Sequence, residues 1–176
     1  MAVSSFPLNA PAVQLQNDGG AFVDGVYLAL LGHGVDSSSW NTAVSNLNSG
    51  SSRDSLINAI LSGTEYQNDR ATFAANNGYG CGWPADPNGQ FLIMLYHYGL
   101  NRCPNSSEYQ YWENVLALPT NKSSVVAQVI YLAEFQNAHI AAVNTFLATQ
   151  SQSAPVASAV WFGASPGGSD SVPVLY

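Results

Sequence analysis

Between Phe22 and Leu147 the apolar residues of this chain recur at helical spacing. Phe22, Val26, Tyr27 and Leu30 fall at i, i+4, i+5 and i+8 after the turn-like Asn17-Asp18-Gly19-Gly20, which predicts a helix that stops at Gly32 or Gly34. Asp36 then reads as the cap of a second helix carrying Trp40, Val44 and Leu47 and closed by Asn48-Ser49-Gly50. Ser51 with Asp54 approximates a capping box for a third helix bearing Leu56, Ile57, Ile60 and Leu61. Ser62-Gly63-Thr64 breaks the pattern, and Glu65-Tyr66 opens a fourth helix.

The same reading then applies a second time. Phe22 aligns with Phe91, Tyr27 with Tyr96, Asp36 with Asn105, Leu47 with Leu116, Ile60 with Val129, Glu65 with Glu134 and Tyr66 with Phe135, at a constant separation of 91 − 22 = 69 with no gap. Asn88-Gly89 precedes Phe91, Met94, Leu95 and Tyr98; Asn105 caps a helix of Tyr109, Trp112 and Leu116; Pro119-Thr120-Asn121 starts one with Val125, Val126, Val129 and Ile130. A last helix carries Ile140, Val143, Phe146 and Leu147. Self-similarity at a fixed period is the mark of a repeated supersecondary unit. The expected fold class is therefore all-α, two tandem four-helix units related by an internal repeat and followed by an extended C-terminal tail. The expected divisions are an N-terminal arm at 1–16, a first repeat at 17–75, a Gly-rich linker at 76–85, a second repeat at 86–149 and a tail at 150–176.

Composition changes this picture mainly in what it excludes. Only 9% of the 176 residues are charged, against about 25% in an ordinary soluble domain, while 47% are hydrophobic. Disorder through high charge is ruled out. The net charge is −7 and the cations are Arg53, Arg70, Arg102 and Lys122 alone, which cannot neutralise a run of phosphates, so nucleic acid and membrane insertion are not expected. No stretch of about 20 apolar residues is present. Abundant Ser, Asn, Thr and Tyr with little Lys suits an extracellular or cell-surface protein, yet Met-Ala-Val-Ser-Ser-Phe-Pro does not read as a secretory signal peptide in this numbering.

Several of these positions carry a resemblance. Tyr27, Leu31-Gly32-His33, Asp36, Leu47 and Glu65-Tyr66, and again Tyr96, Asn101-Arg102-Cys103-Pro104-Asn105, Tyr111-Trp112 and Glu134-Phe135, resemble the tandem bacterial "domain of unknown function" helical repeats of secreted, surface-layer and hemolysin-type calcium-binding proteins. Those repeats are distantly similar to the phycobilisome linker domain. The resemblance implies secretion and an assembly or adhesion role, with no assigned reaction.

Candidate chemistry is sparse. His33, His97 and His139 show no zinc spacing and read as surface or helix-end side chains. Cys81 in the linker and Cys103 in an interhelix loop suggest a disulfide, the alternatives being two unrelated buried thiols or, least favoured, a redox pair. Asn17-Asp18-Gly19-Gly20 and Asp86-Pro87-Asn88-Gly89 read as caps more than as a calcium site, and Glu65 and Glu134 as helix N-terminal acids more than as paired catalytic carboxylates. No catalytic or metal residue is assigned and no cofactor is expected, calcium being the one candidate. Most aromatic residues fall on the apolar stripes; Tyr79, Trp83 and Tyr109 are the candidates for ligand-facing rings.

The tail bears one charge, Asp170, but many apolar residues: Val156, Val160, Trp161, Phe162, Val172, Val174, Leu175 and Tyr176, set between Ser, Gly and Pro. Such a segment requires a surface to lie on, either its own helices or a neighbouring subunit; an uncleaved export signal is the third reading. The expectation is a non-catalytic structural or adhesive subunit of a surface assembly (layer, sheath or fibre), whose partners are copies of itself, other surface proteins or glycans. The alternatives are a carbohydrate- or calcium-dependent binding module, and an intracellular linker that organises a larger complex.

Overall fold

The computed structural model describes residues 19–117 and 122–150. Those residues form an all-α fold of eight α-helices: α1 Gly19–Leu31, α2 Ser37–Asn48, α3 Arg53–Ser62, α4 Thr64–Ala75, α5 Pro87–Leu100, α6 Ser106–Ala117, α7 Lys122–Tyr131 and α8 Ala133–Thr149, with a 3-10 turn at Asn77–Gly80 between α4 and α5. The tail residues named above, together with Asn17, Asp18 and Pro119-Thr120-Asn121, lie outside the described residues.

The most apolar helices sit at the centre. In α1 every residue except Tyr27 is buried, and α5 buries Phe91 through Tyr96, Gly99 and Leu100 along with Gly89. A helix that is apolar on all sides must be covered on all sides. Accordingly α1 packs against α5, α2, α8 and α7, while α5 packs against α1, α6, α8 and α4. The amphipathic α3 bridges α4 and α7. One core runs through the whole array, from Phe22, Trp40 and Ile57 to Trp112, Val126 and Phe135. The β-branched residues of α7 are poor helix formers, and their complete burial holds that segment helical.

Local signals set most boundaries. Asp36 caps α2, its carboxylate accepting from the N–H groups of Ser38 and Ser39 at 2.9 and 3.0 Å. Asp86 caps α5 through Gly89 N–H, with Pro87 in the first turn. Asn105 and Glu108 cap reciprocally: Glu108 N–H donates to Asn105 Oδ1 at 2.9 Å and Asn105 N–H to Glu108 Oε2 at 2.8 Å. Helix α1 stops at Leu31 because Gly32 turns left-handed at φ +73°, where a Cβ would also collide with the Tyr98 ring. After α5, Asn101 takes the same conformation at φ +53°.

Two expectations need correction. Gly19 and Gly20 are not a turn but the buried first residues of α1. The Trp40 indole N–H donates to the Gly20 carbonyl at 3.0 Å, bringing the ring of α2 onto the α1 backbone. The cap of α3 is Ser52, whose hydroxyl accepts from Ser55 N–H at 3.1 Å, rather than Ser51 with Asp54; Asp54 is engaged elsewhere, by the Ser123 hydroxyl of α7 at 2.8 Å.

Two contacts occur twice, on residues 69 positions apart. The Arg53 guanidinium lies 4.4 Å from the Phe22 ring centre, and the Lys122 ammonium 5.1 Å from that of Phe91. His33 meets Glu65 at 2.7 Å, and Arg102 meets Glu134 at 2.6 Å.

Candidate functional site

Cys81 and Cys103 are joined in a disulfide, with their Cα atoms 5.4 Å apart. The bridge ties the segment after the 3-10 turn to the α5–α6 loop. Beside it opens a groove of about 490 Å³, whose walls are Trp83, Pro84, Ile93, Pro104 and Tyr109. Its Pro84 wall is held by Gln90, whose amide donates to the Pro84 carbonyl at 2.9 Å and whose oxygen accepts from Arg70. The Tyr109 hydroxyl lies against Gly89, where a side chain would displace it. Burial, with Asp86 and Glu113 nearby, pushes that phenol up to about 12.

Trp83 and Tyr109, two of the three sequence-selected aromatics, therefore share one groove and are half-buried in it. Tyr79 does not line it. The residue is 48% exposed, and its ring stacks on His97 with centroids 5.3 Å apart, within a cluster that includes Phe73, Tyr98 and Trp83. Tyr79 and Asn77 both adopt left-handed backbone, at φ +52° and +49°. That conformation disfavours side chains, so surrounding contacts must hold the turn in place.

The histidines divide by environment. His33 is exposed, its Nδ1 hydrogen-bonded to the Gly34 carbonyl at 2.8 Å and its Nε2 to Glu65 at 2.7 Å; the Gly34 bond is the largest single cause of its raised pKa, and Glu65 raises it by hydrogen bond and by charge. His97, in the last turn of α5 as a helix-end residue, and His139, within α8, are both half-buried, and burial lowers both pKa values. His139 Nε2 donates to the Gly99 carbonyl at 2.8 Å, and its ring packs on Phe135. Neither sits beside a nucleophile. Among the described residues no three of His, Cys, Asp and Glu converge as metal ligands would.

Glu65 and Glu134 each occupy the first turn of their helix. They face different partners and do not form a carboxylate pair. Arg102 clamps Glu108 through two bonds of 2.7 Å and Glu134 through bonds of 2.6 and 2.8 Å, over the Tyr96 ring. Bidentate charge-assisted bonding of this kind fixes geometry as well as energy. Arg102 holds the Glu108 carboxyl below the usual carboxylate range.

A second groove of about 390 Å³ was not anticipated. It lies where α1, α2, α3 and the start of α4 meet, with Tyr27, Leu56 and Ile60 on its apolar side and Ser39, Thr42 and Glu65 on its polar side. These residues read individually as ordinary helix positions. The signal that could have found them is the difference in side-chain size between positions 69 apart: Thr42, Ala43, Asn46 and Gly63 stand against Tyr111, Trp112, Val115 and Leu132.

Comparison with protein-family models, with curated proteins and with solved structures finds no match for this chain. Among the described residues no helix is long and apolar enough to cross a membrane.

Proposed function

We propose that the chain is a non-catalytic structural or adhesive subunit of an extracellular or cell-surface assembly, a layer, sheath or fibre, built on a duplicated four-helix unit and self-associating partly through its C-terminal tail. The observation that carries this reading is the surface itself. Two open grooves walled by aromatic, aliphatic and proline side chains lie on a molecule with only four Lys and Arg. A charge-poor surface suits contact with other protein, where few like charges oppose association.

The duplication is supported by the helix boundaries: Ser37, Arg53 and Thr64 begin α2, α3 and α4, and Ser106, Lys122 and Ala133 begin α6, α7 and α8, each 69 residues on. The twice-occurring cation–ring and ion pairs support it further. Export is supported by the Cys81–Cys103 bridge, since such bonds persist in oxidising compartments. The resemblance to surface-layer repeats points the same way. The test is the state of association of the full chain compared with a version ending at Gln150.

A second reading, a carbohydrate-binding module, is favoured by one feature: Trp83 and Tyr109 share an open groove, with exposed Tyr79 close by. Aromatic faces stack on sugar rings through their apolar side. Glycan-array binding that is lost in Trp83→Ala with the fold intact supports this reading over assembly.

A further inference from the structure

Where the first half has the second, smaller groove, the second half carries larger side chains, chief among them an adjacent aromatic pair. Trp112 of α6 is only 2% exposed, and its indole N–H donates to the Tyr96 hydroxyl at 2.7 Å. Tyr111 packs edge-on against that indole, with ring centroids 4.8 Å apart. Beneath this adjacent aromatic pair, Val125 and Val129 are completely buried, and Tyr96 is 1% exposed.

In the first half, 69 residues earlier, Tyr111 and Trp112 are replaced by Thr42 and Ala43. Among the described residues no other ring but Tyr27 lines the space. Tyr27, Leu56 and Ile60, which stand where Tyr96, Val125 and Val129 stand, are left only half-buried, and the space above them is the groove of about 390 Å³. A groove with an apolar side of Tyr27, Leu56 and Ile60 thus stands in α1–α3 at the place where the second half has its Tyr111-Trp112 pair.

The chain carries one further adjacent aromatic pair, Trp161-Phe162, in the C-terminal segment. The start of that segment is anchored at the groove: Gln150, the residue after α8, donates from Nε2 to Ser37 Oγ at 2.9 Å, and the next residues of α2, Ser38 and Ser39, line the groove. The eleven residues from Gln150 to Trp161 (161 − 150) reach up to about 36–40 Å when extended. The α2 wall from Ser38 to Asn46 is only about 12 Å long at the helical rise. Covalent attachment at this distance gives the segment an effective concentration that a separate molecule seldom matches.

We propose that in the isolated subunit the groove between α1, α2 and α3 is the seat of the chain's own Trp161-Phe162 pair, which completes the first half as Tyr111-Trp112 completes the second. The inference rests on the duplication within the proposed function. It also gives the tail's part in assembly a physical form: the segment leaves its own groove and enters that of a neighbouring copy, by exchange of one contact.

The test uses the full chain with methyl-labelled Leu and Ile. Nuclear Overhauser contacts from the Trp161 indole to the Leu56 and Ile60 methyls are expected at low micromolar concentration. The double variant Trp161→Ala/Phe162→Ala should abolish them and shift those methyls, while the methyls of Ile130 and Ile140 stay in place and report an intact fold. A chain ending at Gln150 should show the same shifts, and the separate peptide 151–176 should reverse them. Leu56 and Ile60 resonances that do not respond to either change overturn the proposal. Contacts that vanish on dilution also overturn the own-chain seat, while leaving the assembly reading standing. Contacts that persist in the monomer uphold the seat; the assembly reading falls only if the full chain shows no association at higher concentration.

Discussion

Ser123 Oγ donates to Asp54 Oδ1 at 2.8 Å, and the two residues stand 69 positions apart. They occupy the same position in the two halves of the proposed duplication, so they can meet only where α3 and α7 cross near an axis relating those halves. Ser123 is fully buried there. Removing its hydroxyl while keeping the methylene, in Ser123→Ala, is expected to cost about 1 kcal/mol, the usual net worth of one such bond. Urea denaturation checks this, with the slope of the transition unchanged.

Arg102 joins three segments: its own loop, Glu108 at the start of α6 and Glu134 at the start of α8. The Glu108 side chain is only 9% exposed, whereas those of Arg102 and Glu134 are 35% and 45% exposed. Solvent screening weakens the Glu134 half of the network, and the Glu108 half dominates. Arg102→Met leaves a nearly buried carboxylate without its cation and should destabilise by about 2 kcal/mol, less than for a fully enclosed pair. Glu134→Gln should cost under about 1 kcal/mol. Chemical denaturation of both variants in low salt measures the difference.

The Cys81–Cys103 bridge closes a loop of 22 residues. In the chain-entropy description such a closure is worth roughly 3 kcal/mol. Cys81→Ser/Cys103→Ser, or the wild type under strong reductant, should lose about that much. The loss should begin near the Trp83–Tyr109 groove, because the bridge holds one of its walls. Amide exchange at residues 81–86 compared with α1 reads this out.

Asp24 is 1% exposed inside α1, its carboxylate accepting from Val35 N–H at 2.9 Å. Burial raises its pKa above 3.8, more than the Val35 bond lowers it. The folded protein therefore binds this proton more tightly than the unfolded chain. The resulting stability is fully present below about pH 3.8 and is lost as pH rises through the raised folded value. Asp24→Asn keeps an acceptor for Val35 and carries no charge. At pH 7 the variant should be at least as stable as the wild type, and its advantage should shrink as the pH falls towards 4. Thermal melts of both proteins across that window test the sign.

The helices were largely legible because their signals are local. Apolar stripes such as Phe22–Leu30 and Phe91–Tyr98, the caps Asp36 and Asn105, and the breaks at Gly32, Gly50 and Gly63 act within a turn or two of where they stand. Gly19-Gly20 misled, because tertiary packing uses those glycines: their backbone lies under the Trp40 indole, and a turn motif does not register a partner 20 residues away. Trp83 and Tyr109 could be selected as ring candidates, but their meeting in one groove depends on a loop placed by the disulfide. The second groove was hidden for a different reason. Thr42, Ala43 and Gly63 signal nothing alone, and the space they leave emerges only against Tyr111, Trp112 and Leu132.

The central claim is that this is an assembly subunit whose tail is the connector. Light scattering with negative-stain imaging of the full chain and of a version ending at Gln150 tests it most directly. The account predicts large regular particles or fibres for the full chain and their disappearance on truncation. A monomer near 18.6 kDa for the full chain, unchanged in kind by truncation, would contradict it.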